Sequence, residues 1–261
     1  MGSDARGLGR NAGSGIAVAA GSLLALVAIW QFGALLADPR VLPPPSAVAA
    51  FVWKETASGA LPYHLGLTLL RVLAAFVIAM AIGSAIGLWL GRSAAADRLF
   101  DPWVILLLNL PALVVIVLAY IWIGLNEAAA IGAVALNKIP NAVVTVREGA
   151  RALDPRYAEV AQVYRFSALK SLRHVVIPQL LPYIAAAGRS GIALIWKIVL
   201  VVELLGRPNG VGFQISLYFQ LFDVAAILGY TLAFVAVMLA VELLLVRPVE
   251  QHAYRWRPRP A

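Results

Sequence analysis

Residues 75–91 read AFVIAMAIGSAIGLWLG, the heart of an apolar segment running from about Leu65 to Leu90. A helix needs about 20 mostly apolar residues to cross the hydrocarbon core of a bilayer, and this segment is long enough. Five further segments share its character: Ile16–Leu36, Pro102–Leu125, Glu127–Val146, Leu181–Leu205 and Val224–Val246. The composition points the same way, with 62% hydrophobic and 13% charged residues. An ordinary soluble domain carries about 25% charged residues. The fold class expected is an all-α membrane protein with six transmembrane helices.

The connections between these spans set the expected orientation. Basic residues are retained on the cytoplasmic side. With the N-terminus inside, 14 of the 21 Lys and Arg residues fall in cytoplasmic segments, 3 fall outside and 4 lie within spans. Both termini are therefore expected in the cytoplasm, and the net charge of +8 is read as membrane topology rather than nucleic-acid binding. Residues 1–15 are Gly/Ser-rich and expected to be disordered. Residues 16–64 hold the first span and an outer loop. Residues 65–246 form a core of five spans interrupted by a polar loop at 147–180, and 247–261 form a basic tail. The first apolar run exceeds the roughly 7–15 residues of a signal-peptide core. There is no cysteine, so neither disulfides nor thiolate metal sites are available.

Within the second span, Ala75, Ala79, Gly83, Gly87 and Gly91 recur every four residues. Small residues at this spacing form a groove that admits a neighbouring backbone. Either packing within one chain or a dimer seam would use it. Pro111 and Pro140 sit inside the third and fourth spans, where each removes a backbone donor and is expected to kink or break its helix.

The stretch YAEVAQVYRFSALKSLRHVVIP, residues 157–178, is a charged island in this greasy chain. Asp154 is placed to cap a helix, with Pro155 at its first position. Ser167 is placed to cap a second. Phe166, Leu169, Leu172 and Val176 form one apolar stripe, with Lys170, Arg173 and His174 pointing elsewhere. Pro178 is expected to end that helix. The pattern describes two short helices meeting at a sharp turn on the cytoplasmic surface. It suits an amphipathic segment resting on lipid, and equally a helix seated in a partner's groove.

The residues of this island resemble the EAA loop of binding-protein-dependent ABC importer permeases. Glu159, Ala161, the position of Arg165 six residues after the glutamate, Val175 ten further, and Ile177–Pro178 keep that pattern's spacing, with Val175 and Ile177 as conservative replacements. Val160 and Arg165 depart from it, standing where the pattern has Ala and Gly. The flanks RVLPPPSAV, HLGLTLLRVLAAF, IVLAYIWIGLNEAAAI, VIPQLLPYIAAAGRSGIALIWKIVLVVELL, NGVGFQI and PVEQHAYRWRP extend the resemblance over most of the chain, toward the nitrate/sulfonate/taurine type. The resemblance implies a type I importer permease whose loop is a coupling helix gripped by a cytoplasmic ATPase. The coupling residues would be Glu159, Ala161, Arg165, Lys170, Arg173 and Pro178. It also implies a homodimer, two ATPase subunits, a periplasmic or lipid-anchored binding protein, and a bacterial inner membrane. The chain has no G-x-x-x-x-G-K-[ST] phosphate cradle, and none of its four lysines follows a glycine. ATP and Mg are accordingly expected on the partner ATPase, with no cofactor or metal in this chain and no enzymatic role for it.

Polar residues inside the spans bear on the cargo. Lys138 and Lys197 lie within the fourth and fifth spans, where a charge costs at least about 2.5–3.5 kcal/mol. With Asn109, Asn137, Asn141 and Glu203 they outline a candidate pathway for an anionic solute, and the resemblance implies a small anion or zwitterion: a sulfonate, taurine, nitrate, bicarbonate or an aromatic acid. An internal pair of either lysine with Glu203 is the alternative. Arg71 and Arg189 read as structural pairs near helix ends. The three histidines lie in different segments and form no catalytic constellation. Two rival functions remain at this level: an ion-coupled secondary transporter using Lys138, Lys197 and Glu203, and a membrane scaffold.

Overall fold

The computed structural model describes the backbone of residues 4–248 and the side chains of residue 18 and residues 21–248. Every regular element among the described residues is helical. In chain order these are α1 (Asp4–Leu36), α2 (Pro45–Ala57), α3 (Ala60–Arg92), α4 (Ala94–Asn109), α5 (Ala112–Ile123) and α6 (Glu127–Arg151). There follow α7 (Pro155–Val163), α8 (Ala168–Ser171), α9 (Ile177–Gly206), α10 (Val211–Gln220) and α11 (Val224–Val241). A π-helical turn, Leu172–Val176, joins α8 to α9 into one rod, and another, Glu242–Val246, extends α11. α1 begins at Asp4, so helix occupies most of the 1–15 segment expected to be disordered. Met1–Ser3 and, from the basic tail, residues 249–261 lie outside the described residues.

Among the described residues, four helices are long and apolar enough to cross a membrane: Ala60–Arg92, Glu127–Arg151, Ala168–Gly206 and Val224–Val246. α4 and α5 make a fifth if taken as one broken span, bent by 95°. The expected third span is thus two helices. Pro111 forces the break, because its ring pushes the preceding Leu110 to extended backbone (φ −69°, ψ 125°). In the first span the apolar part among described side chains is Gly21–Leu36, shorter than the other spans. Among the described residues, length and composition alone thus count four spans, or five with the bent pair, toward the six expected.

Two other prolines leave their helices unbroken. Pro140 does not break α6, which runs unbroken from Glu127 to Arg151. The glycine face of α3 straddles it: a methyl group at Gly83 would lie 2.6 Å from Ala142 Cβ and 3.0 Å from the Ile139 carbonyl. Packing on both sides of the proline outweighs the roughly 3 kcal/mol that an interior proline costs. Pro178 does not stop its helix either. It sits in the first turn of α9, just after the π turn, whose widened ladder absorbs the missing N–H.

The chain divides into two compact units, Met1–Leu61 with Leu217–Ala233, and Pro62–Ser216 with the chain from Phe234. In the first unit, the Trp30 indole donates to the Pro43 carbonyl at 3.0 Å. Phe51 packs edge-on against Tyr218 and Tyr230, and the Tyr230 hydroxyl donates to Glu55 at 2.8 Å.

In the second unit α6 is the axis, with twelve of its 25 residues buried. Gly83, Gly87 and Gly91 of α3 all face α6. A methyl group at Gly87 would lie 2.7 Å from the Val143 carbonyl, and one at Gly91 2.6 Å from Ala150 Cβ. The small-residue groove therefore serves packing within the chain. On another side of α6, Gly149 receives the Tyr183 ring of α9 and Lys138 lies against Gly191. Outside this core, large apolar side chains stay exposed, among them Leu24 (70%), Ile121 (70%) and Leu244 (73%). In water these faces would aggregate; in a bilayer they meet lipid tails.

Candidate functional site

The charged island folds much as its caps dictate. The Asp154 carboxylate accepts from the Arg156 N–H at 2.9 Å and starts α7, with Pro155 in the first turn. The Ser167 hydroxyl accepts from the Lys170 N–H at 3.3 Å and starts α8. Between the two helices, the Phe166 N–H donates to the Ala161 carbonyl at 2.8 Å and the Arg165 N–H to the Gln162 carbonyl at 2.9 Å. This pair of bonds is a Schellman closure, which requires a left-handed residue at the position Arg165 occupies. Arg165 complies, at φ +51°. The turn is therefore the one a glycine would make, built with an arginine at about 1–2 kcal/mol of strain.

Within the coupling residues read from the sequence, Ala161 is buried, while Glu159, Arg165, Lys170, Arg173 and Pro178 are exposed. The expected apolar stripe is only partly free. Val176 is buried with Ala150 and Leu180, and Leu172 packs against them. Leu169 remains 75% exposed, and α7 adds Val160, Val163 and Tyr164 at 51%, 79% and 72%. The open apolar surface therefore belongs mainly to α7. Lys170 places its amine 4.2 Å from the centre of the Phe166 ring, across the turn.

At the other end of α9 lies a buried polar network. The Glu203 carboxylate is fully buried. It accepts from Arg71 at 2.7 Å, from the Thr68 hydroxyl at 3.0 Å and from the Gly212 N–H at 2.9 Å. Arg71 also grips Glu127 through two bonds of 2.7 and 2.9 Å and reaches the carbonyl and side chain of Asn209. Glu127 accepts in turn from Arg207 at 2.6 Å. Gly210, at φ +106°, has no room for a side chain: a methyl group there would fall 2.3 Å from Glu203. His64 accepts from the Gly210 N–H at 3.0 Å through Nδ1, and its Nε2 pairs with Gln214 at 2.6 Å. The network pins the turn before α10 onto α3, α6 and α9. Sequence reading assigned Arg71 to a structural pair but missed its partners; which of an Arg, two Glu and a Gly-x-Gly turn in separate segments meet has no local signal.

This network corrects the reading of Glu203, which pairs with Arg71 and with neither lysine. Lys138 is 1% exposed, its amine has no hydrogen-bond partner, and its chain fills the notch at Gly191. Lys197 is exposed on a different face of α9. Lys138, Lys197 and Glu203 are not assembled into a relay. Asn109 is exposed and donates to the Ile105 carbonyl at 2.7 Å, beside the α4–α5 break. Asn137 and Asn141 are half-buried on α6. A cavity of about 740 Å³ between α3, α9 and α11 is lined by Phe76, Met80, Ile192, Trp196 and Leu245, and contains none of these polar residues. On α9, Arg189 lies 3.9 Å from Glu242, as a structural pair.

Comparison with known proteins agrees with this geometry. Residues 79–251 match the family described as the binding-protein-dependent transport system inner membrane component. SsuC of Escherichia coli (strain K12), named for aliphatic sulfonates transport, is 30% identical over 190 residues, 72% of each chain. The taurine transport system permease protein TauC of the same organism is 26% identical over 208 residues, 77% of this chain and 76% of TauC. Among solved structures, a chain of an amino acid ABC transporter has a TM-score of 0.61 at 20% identity, covering 77% of this chain and 98% of that one. A chain of the inward-facing MetNI methionine ABC transporter has a TM-score of 0.59 at 16% identity, covering 70% and 92%. The fold is that of the type I ABC importer permeases, and the chain belongs to the binding-protein-dependent transport system inner membrane components: it is a multi-pass transport subunit whose family works with a separate ATPase and a binding protein.

Proposed function

We propose that two copies of this chain form the translocation pathway for a small anionic or zwitterionic solute, of the sulfonate, taurine or bicarbonate kind. Two cytoplasmic ATPases, holding ATP and Mg, dock on the segments between Pro155 and Val176, and a binding protein delivers the solute from outside. Both termini lie in the cytoplasm of a bacterial cell, and lipid covers the remaining outer faces.

The observation that carries the anion reading is Lys197. It lies nine residues before the end of α9, so its Cα is about 14 Å along the helix from Gly206, near mid-bilayer. It is exposed in the single chain, on a face shared with Leu194, Val201 and Leu204. A lysine left in lipid at that depth is costly. A water-filled pathway between two copies removes that cost and attracts an anion. The relatives named for sulfonates and taurine agree with this choice. Lys138, enclosed within one chain, is left out of the pathway. Substrate-stimulated ATP hydrolysis in proteoliposomes with the binding protein tests the reading. Lys197→Ala is expected to lower anion-stimulated turnover at least tenfold while basal hydrolysis persists. Equal stimulation in wild type and variant would remove Lys197 from the pathway.

A further inference from the structure

Arg165 is one of two non-glycine residues with a positive φ among the described residues. Nothing in the turn needs its side chain, because the closing hydrogen bonds at Ala161 and Gln162 use backbone alone. A glycine would serve the same turn without strain. The arginine side chain is exposed, and no ion pair or hydrogen bond engages it among the described residues. Strain kept at a position where the side chain does nothing for the fold directs attention to a partner.

The surroundings say what kind. From Pro155 to Val176 the segment carries Arg156, Arg165, Lys170 and Arg173 against the single acid Glu159. Lys170 is occupied with the Phe166 ring. Beside Arg165 stand Val163 and Tyr164, 79% and 72% exposed, an apolar centre of the type that interfaces bury. A guanidinium at the rim of such a centre matches a carboxylate in a two-bond fork.

We propose that Arg165 is a partner-selecting contact: the left-handed turn aims its guanidinium at an Asp or Glu on the lip of the ATPase cleft that receives α7. This rests on the docking proposed above and adds the chemistry of recognition. Arg165 thereby favours an ATPase with an acidic lip over one shaped for a glycine at this position.

The test is binding of the purified ATPase subunit of the same importer to the full-length chain in nanodiscs, titrated at about 50 and 300 mM salt. Arg165→Gly is expected to raise or keep the unfolding temperature, because strain is relieved. It is also expected to weaken binding about tenfold at low salt and to flatten the salt dependence. Arg165→Glu should weaken it further, and reversing one acidic residue on the ATPase lip to Arg should restore it. If Arg165→Gly binds as tightly as wild type at low salt, the side chain has no role at the interface and the proposal fails. It also fails if the variant keeps ATPase affinity but loses binding to phosphatidylglycerol in the disc, which would assign the guanidinium to lipid. Val163→Glu separates the two readings. It should abolish ATPase binding whatever Arg165 does, and unchanged binding in that variant overturns the docking itself.

Discussion

Arg71 and Glu203, 132 residues apart in the chain, meet at 2.7 Å with both side chains buried. Their pairing is what gives the turn before α10 a fixed seat, because the same carboxylate receives the Gly212 N–H and the same guanidinium holds Asn209. Removing one partner leaves the other as an uncompensated buried charge. Arg71→Ala should therefore destabilise the protein by about 3–5 kcal/mol. Glu203→Gln should cost less, since its amide oxygen can still accept from Arg71 and Arg71 keeps Glu127, although the NH2 group replaces the oxygen that received Gly212 and Thr68. Thermal unfolding in detergent checks the order; equal losses in both variants would mean that charge is not the issue.

At Gly87, as at Gly91, α3 and α6 approach through backbone. A methyl group there has the Val143 carbonyl at 2.7 Å and Val146 Cβ at 3.0 Å, neither of which is the end of a flexible side chain. Gly87→Ala should cost about 1–3 kcal/mol by overpacking. Gly66 on the same helix has nothing within 4 Å of that position. Gly66→Ala should be neutral or stabilising by up to about 1 kcal/mol. The pair of unfolding midpoints distinguishes packing from mere helix propensity.

Lys138 buries an amine without a hydrogen-bond partner beside Gly191. Methionine fills similar space without a polar end. Lys138→Met should stabilise by about 1–3 kcal/mol, the usual cost of an unsatisfied buried polar group, and should leave anion transport intact. Loss of transport at an unchanged unfolding temperature would return this lysine to the pathway.

Much of this architecture is readable from residues close in sequence. Asp154, Pro155 and Ser167 announce their helix starts because capping is local. Pro111 announces its break because the preceding residue is restricted directly. The glycine series announces a contact face, and the structure supplies its partner, α6. Pro140 leaves α6 unbroken and Pro178 does not stop its helix, because tertiary packing in one case and a π turn in the other compensate for the missing donor. Arg71, Glu127 and Glu203 could be flagged as costly inside a span, but which of them meet depends on how three helices are arranged. Lys138 and Lys197 looked equivalent in the sequence; one helix face buries the first and another exposes the second, a distinction that only the packed bundle makes.

The central claim is that the segment from Pro155 to Val176 is the grip of a separate ATPase, while this chain supplies the gate. The chain has no native cysteine, so Val163→Cys carries a single photo-crosslinker without background. Crosslinking this variant in vesicles with the ATPase and binding protein tests the claim most directly. The account predicts a permease–ATPase adduct whose yield changes with ATP, together with loss of ATP-driven uptake once it forms. An adduct to lipid alone, with uptake proceeding undiminished, would contradict it.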